Sequence, residues 1–201
     1  MSCTGVILAG GAATRFGGRP KGLEAVGGVR IIDRVARALR QVTDDLLLVA
    51  NAPDAATWLP GVRTVPDLRA GDGALGGVHT ALATAETDIL LMAWDMPFVS
   101  PALLGLLRAE GEAAGADAML PESDASRRGV EPLCAWYASR CLPAVRTALE
   151  AGDRRVIAFL DQVQAGRLPR ARVATFGDPD RLFRNVNTAE ELAAAEAMAR
   201  G

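Results

Sequence analysis

The stretch Gly5-Val6-Ile7-Leu8-Ala9-Gly10-Gly11-Ala12-Ala13-Thr14-Arg15-Phe16-Gly17-Gly18-Arg19-Pro20-Lys21 is an apolar run that passes directly into a glycine-rich loop carrying fixed positive charge. Gly5 to Ala9 reads as a buried strand, and the loop after it as a holder of phosphate. Gly10 and Gly11 lack a Cβ, so their N–H groups can come close to anionic oxygens, while Arg15 and Lys21 bring the charge that a polyphosphate needs neutralised. No Gly-Lys-Ser/Thr follows the glycines, so this is not a Walker A loop, and the Gly-x-Gly-x-x-Gly spacing of a dinucleotide turn is also missing. One glycine pair would say only that the chain turns. Four glycines with an Arg and a Lys in one loop point to phosphate.

Outward from this segment, strand-like runs alternate with helix-like ones. Strands are expected near Gly5–Ala9, Asp45–Ala50, Arg63–Val65, Asp88–Trp94, Ala116–Leu120, Pro132–Tyr137 and Val173–Phe176. Helices are expected near Ile31–Gln41, Val78–Glu86, Pro101–Gly111, Ser139–Ala151, Arg154–Gln164 and Ala189–Ala199. Ser100-Pro101 and the capping box Thr188-Ala189-Glu190-Glu191 mark two helix starts. This alternation predicts an α/β fold, a Rossmann-like three-layer α/β/α sandwich around a mostly parallel sheet. In such a sheet ligands gather beyond the C-terminal strand ends, which places Gly10-Gly11, Asn51, Asp95 and the polar loop Pro121–Gly129 at one rim.

The chain has 201 residues, half of them hydrophobic and four per cent aromatic. That length suits a single domain, residues 1–201, with a core built mostly of Ala, Leu and Val. A net charge of −2 argues against a nucleic-acid binder with a general basic surface. Cys3, Cys134 and Cys141 are odd in number and have no Cys-x-x-Cys spacing, as expected of reduced thiols in a cytoplasmic protein. No signal peptide or membrane anchor is expected, Val6 to Ala9 being far too short to span a bilayer. The only histidine, His79, leaves little room for a His-rich metal centre and is expected near a helix start.

Leu8-Ala9-Gly10-Gly11, Arg15-Phe16-Gly17-Gly18 and Lys21 resemble the signature of nucleotidyltransferases that activate phosphorylated metabolites with a nucleoside triphosphate. Three further segments extend the resemblance over nearly the whole chain: Asp67 with Gly73-Ala74-Leu75-Gly76-Gly77, then Trp94-Asp95-Met96-Pro97-Phe98, then Asn185-Val186-Asn187-Thr188-Ala189-Glu190-Glu191-Leu192. The likeness is closest to the molybdenum cofactor guanylyltransferase family. It implies the fold of the nucleotide-diphospho-sugar transferases, with transfer of GMP from GTP to molybdopterin-bound molybdenum and release of pyrophosphate with Mg²⁺. Molybdoenzymes and cofactor-biosynthesis proteins would be further partners. Cytidylyl-transferring relatives commonly carry alanine where Gly10 stands, which keeps a cytidylyltransferase for the same cofactor as the nearest alternative. A sugar-phosphate nucleotidyltransferase is the next, and a catalytically silent module that delivers the cofactor is the alternative from a different class.

The resemblance also distributes roles. Arg15, Lys21 and Asp95 would be catalytic. Leu8, Ala9, Gly10, Gly11, Lys21, Asn51, Asp67 and Asp95 would bind nucleotide, Asp95 would hold Mg²⁺, and Asn185 and Asn187 would face the molybdopterin. The chemistry suits these types: if the nucleophile is already an ionised phosphate, no general base is needed, and charge neutralisation with in-line positioning remains. Lys21 offers a mobile ammonium, Arg15 a fork for two phosphate oxygens, and Asp95, ending an apolar run, a hard oxygen ligand. Asn51 and Asp67 equally suit turns, Asn187 equally suits a helix cap, and Arg19, Arg127, Arg128, Arg154 and Arg155 equally suit solvent. Pro20 stands where the family more often has an Asp before the lysine.

Overall fold

The computed structural model describes residues 2–10, 20–124, 126 and 128–200. Gly11, Arg15, Arg19 and Arg127 lie outside the described residues. The strands are β1 (Cys3–Ala9), the short hairpin β2 (Ala25–Val26) and β3 (Val29–Arg30), then β4 (Asp45–Ala50), β5 (Arg63–Val65), β6 (Asp88–Ala93), β7 (Ala118–Pro121), β8 (Cys134–Tyr137) and β9 (Ala165–Leu168). The helices are α1 (Ile31–Arg40), α2 (Gly73–Ala85), α3 (Pro101–Ala114), α4 (Leu142–Glu150), the short α5 (Arg170–Val173) and α6 (Pro179–Leu182), and α7 (Ala189–Arg200).

Seven strands form one sheet in the order β5-β4-β1-β6-β8-β7-β9. The pairs β1–β4, β1–β6, β4–β5 and β7–β9 are parallel, while β8 runs antiparallel to both β6 and β7. Strand residues alternate between two cores as the pleat requires. Ile7, Leu48, Met92 and Trp136 enter one apolar cluster with α1 and α3, and Val6, Leu47, Leu91 and Tyr137 enter the other with α2 and α4. The expected three-layer α/β/α sandwich with its mostly parallel sheet is therefore the observed one. Among the described residues no helix is long and apolar enough to cross a membrane.

Several expectations need correction. Val173–Phe176 is helical, shared between α5 and a following 3₁₀ turn, and the last strand is Ala165–Leu168 instead. Pro169 starts that helical segment, and Val173 is buried as its anchor. Arg154–Gln164 is a chain of turns with one 3₁₀ segment, Leu160–Gln162, organised around fully buried Phe159 against Tyr137. Helix α2 begins at Gly73, five residues before the expected Val78, so His79 lies inside the helix. Burial, with the Arg146 and Arg69 guanidinium groups, holds the His79 imidazole below its ordinary pKa.

Two glycines let α2 pack closely on its neighbours. A Cβ on Gly77 would lie 2.3 Å from Leu8 Cδ1, and one on Gly76 2.7 Å from Asp72 Cβ. Gly77 thus lets α2 lie directly on the end of β1. Cys3, Cys134 and Cys141 are buried and unbridged, with burial pushing the Cys3 and Cys141 thiols up to about 12.

Candidate active site

Strand β1 is flanked by β4 on one side and β6 on the other, so the chain order reverses at β1, where an open α/β sheet leaves a crevice. A cavity of about 520 Å³ occupies that place. It is lined by Leu8, Ala9 and Gly10 from the end of β1, by Asn51 after β4, and by Ala93, Trp94 and Asp95 at the end of β6. Asp67 and Gly71 approach from the segment leading into α2, Gly73 and Ala74 from its first turn, and Lys21, Glu131, Asn185 and Asn187 also border it. Every expected site residue within the described part of the chain borders this one cavity.

On one side, Asn51 and Asp67 form a reciprocal pair. Asn51 Nδ2 donates to Asp67 Oδ2 at 2.7 Å, and the Asp67 backbone N–H donates to Asn51 Oδ1 at 2.8 Å. This leaves Asp67 Oδ1 buried without a partner among the described residues. At Gly10 a Cβ would meet nothing within 4 Å among the described residues. The packing of the described residues therefore does not demand glycine there.

On the other side, Lys21 is the only lysine of the chain. Its Nζ donates to Asp95 Oδ2 and to Asn187 Oδ1, both at 2.5 Å. Asp95 lies two residues beyond the end of β6, and its carbonyl accepts from the Val186 N–H at 2.9 Å, which stitches the segment before α7 to the sheet. Val186 is fully buried, so Asn185 and Asn187 on either side of it are both left at the cavity, although the segment pairs with no strand. The capping box holds Asn187 in place: Glu191 N–H donates to Thr188 Oγ1 at 3.2 Å, and Glu191 Oε2 accepts from the N–H groups of Asn187 and Thr188. Thr188, not Asn187, caps α7.

Asp95 Oδ1 and Asn185 Oδ1 are buried with no hydrogen-bond partner among the described residues, and both residues border the cavity. Two hard oxygens, one of them anionic, form a donor set that fits Mg²⁺. Among the described residues no three His, Cys, Asp or Glu side chains gather into a metal cage.

Glu131 was not anticipated. It follows the polar loop and is held by its N–H to the Pro121 carbonyl at 3.0 Å. Burial, reinforced by the Asp95 carboxylate, pushes its carboxyl up to about 7. Of the arginines considered from sequence, Arg155 is paired with Asp153 and Arg154 Nε reaches Asp72 at 3.3 Å. Asp72 precedes α2 and also meets Arg69 at 3.1 Å, so Arg154 braces the loop bearing Gly71 and Gly73.

At the sheet's switch point a lysine, an aspartate and two asparagines thus border one crevice. The chain matches the MobA-like NTP transferase domain over residues 5–165 and belongs to that family. It is 36% identical over 197 residues to a molybdenum cofactor guanylyltransferase of Desulfosudis oleivorans, covering 96% of this chain and 94% of that protein. It is 31% identical over 190 residues to another from Vibrio campbellii, covering 94% and 92%. Among solved structures, molybdopterin-guanine dinucleotide biosynthesis protein A from Archaeoglobus fulgidus superposes with a TM-score of 0.82 at 28% identity, covering 98% of each chain.

Proposed function

We propose that this protein transfers GMP from GTP to molybdopterin-bound molybdenum, giving the guanine dinucleotide form of the cofactor and pyrophosphate. One observation carries the reading: a single cavity holds the Asn51–Asp67 pair at one end and the Lys21–Asp95–Asn187 cluster at the other. The unpartnered Asp67 Oδ1 is an acceptor set to receive the adjacent N–H groups of a guanine edge, with Asn51 fixing its orientation. Leu8, Ala9 and Gly10 form the floor beneath the base, and open space at Gly10 admits a purine.

The triphosphate runs toward Lys21. Before substrate arrives, Lys21 neutralises Asp95; on binding, its ammonium turns to the phosphates and frees Asp95 Oδ2, beside the already unpaired Oδ1. Asp95 and Asn185 would hold Mg²⁺, which when bound neutralises phosphate charge and favours in-line attack at the α-phosphorus. Asn187, released by Lys21, is left to orient the incoming phosphate of the acceptor. Arg15 and Gly11 complete the phosphate loop in this reading. The test is nucleotide binding compared side by side for GTP, CTP, ATP and UTP with Mg²⁺. GTP should bind most tightly, and preference for CTP would move the assignment to the cytidylyl branch.

A further inference from the structure

We infer that the stacked pair Trp58–Trp94 is the seat on which the Lys21 turn rests, making Trp94 a positioning residue for the Lys21 ammonium. The inference rests on the reading of Lys21 given above, but its geometry is independent of substrate. Lys21, Gly22 and Leu23 form a single 3₁₀ turn. Gly22 is buried, and a Cβ added to it would lie 2.3 Å from Cε3, 2.6 Å from Cδ2 and 3.0 Å from Cζ3 of Trp94. The backbone next to Lys21 therefore touches the six-membered ring of the indole, an approach open only to glycine.

Trp94 is itself held from elsewhere. Its ring stacks on Trp58 at 5.1 Å between centroids and 15° between planes, and both are 4% exposed. Trp58 is fixed at two points: its Nε1 donates to Asp54 Oδ2 at 3.1 Å, and its carbonyl accepts from Arg30 Nη2 at 3.0 Å. The Trp94 backbone N–H donates to the Leu8 carbonyl at 3.2 Å, and the next residue is Asp95. One rigid aromatic block thus meets the cation-bearing turn while its own backbone carries the carboxylate that the cation binds. The buried Trp94 Nε1 has no partner among the described residues, where the ring is held by packing. A large ring at this position fits a turn that needs a wall behind it.

The experiment uses the fact that Lys21 is the only side-chain amine in the chain. Acylation of Lys21 in the substrate-free protein is followed by mass spectrometry, alongside kcat and KM for GTP. Trp94→Ala should speed Lys21 labelling about fivefold or more, because the turn loses its wall and the ion pair opens more often. It should lower kcat more than it raises KM, and Trp94→Phe should restore both rates in large part. Gly22→Ala, which pushes the turn off the ring from the other partner, should also speed labelling, and it serves if Trp94→Ala fails to fold. Gly111→Ala is the control, since a Cβ there would strike Trp136 at 2.3 Å, away from the cavity. It should lower stability and leave Lys21 labelling unchanged. Parental labelling rates in folded Trp94→Ala or Gly22→Ala overturn the inference, as does equal acceleration by Gly111→Ala. If GTP proves not to be the substrate, the labelling result is unaffected, which separates the two failures.

Discussion

Asn51 and Asp67 bind each other through two hydrogen bonds, of 2.7 and 2.8 Å, yet leave Asp67 Oδ1 buried and unused among the described residues. An acceptor prepared in this way is expensive unless a ligand donates to it. Asp67→Asn should therefore weaken GTP binding by about tenfold or more, since an amide can place donors against the donors of guanine, a mismatch costing roughly 1–3 kcal/mol per group. Calorimetric titration with GTP checks this; unchanged affinity would return Asp67 to a turn-forming role.

Gly10 makes a cleaner probe of the base site. Its Cβ position is open among the described residues, so Gly10→Ala should leave the unfolding midpoint where it is. The added methyl projects into space that the account gives to the base. GTP affinity should fall, and the ratio of GTP to CTP affinity should shift toward CTP. A large loss of stability would show that glycine is needed by the protein itself.

Lys21→Ala removes the cation bridging Asp95 and Asn187. It should lower turnover by about 10²-fold, the usual cost of one electrostatic donor at a reacting phosphate. Stability should change little, because the side chain borders a cavity and fills no packed core. Pre-steady-state pyrophosphate release, read beside a denaturation curve, distinguishes this from simple unfolding.

Glu131 gives the site a pH signature. The folded carboxyl keeps its proton up to about 7, whereas an ordinary glutamate releases it near 4.5. Over that interval the folded state binds more protons, so the contribution of Glu131 is fully present below the lower value and is lost as pH rises through the upper one. In metal-free buffer Glu131→Gln should be more stable than the parent at pH about 8 by about 1–3 kcal/mol, and should lose that advantage toward pH about 4. Urea midpoints across this range test it, and parallel profiles for the two proteins would contradict it.

Much of the architecture was readable because its signals are local. Buried parallel strands such as Leu46–Ala50 and Ile89–Ala93 are continuous apolar runs, and Asp95 and Asn51 mark their ends. Strand Ala165–Leu168 was not readable: Ala165-Gly166-Arg167-Leu168 has neither alternation nor β-branched residues. It is a strand because it pairs with β7, where a Cβ on Gly166 would lie 2.6 Å from Met119 Cε. The apolar run Val173–Phe176 carries no usable period at that length, and its helical turns follow from Pro169 and the burial of Val173. Gly76 and Gly77 serve the packing of α2 against Asp72 and Leu8, a contact that their place in a glycine-bearing segment does not reveal. Glu131 belongs to no motif, and only the return of the chain into β8 sets it beside Asp95. The contact of Lys21 with Asn187, 166 positions apart, is likewise a product of topology.

The most direct measurement is pyrophosphate release with Mg²⁺ and molybdopterin-bound molybdenum, comparing GTP with CTP and omitting the acceptor in a parallel series. The account predicts release with GTP that requires the acceptor, with mass spectrometry finding GMP joined to the pterin product, and release with CTP lower by about tenfold or more. Equal or faster release with CTP, or release with GTP that does not depend on the acceptor, would contradict it.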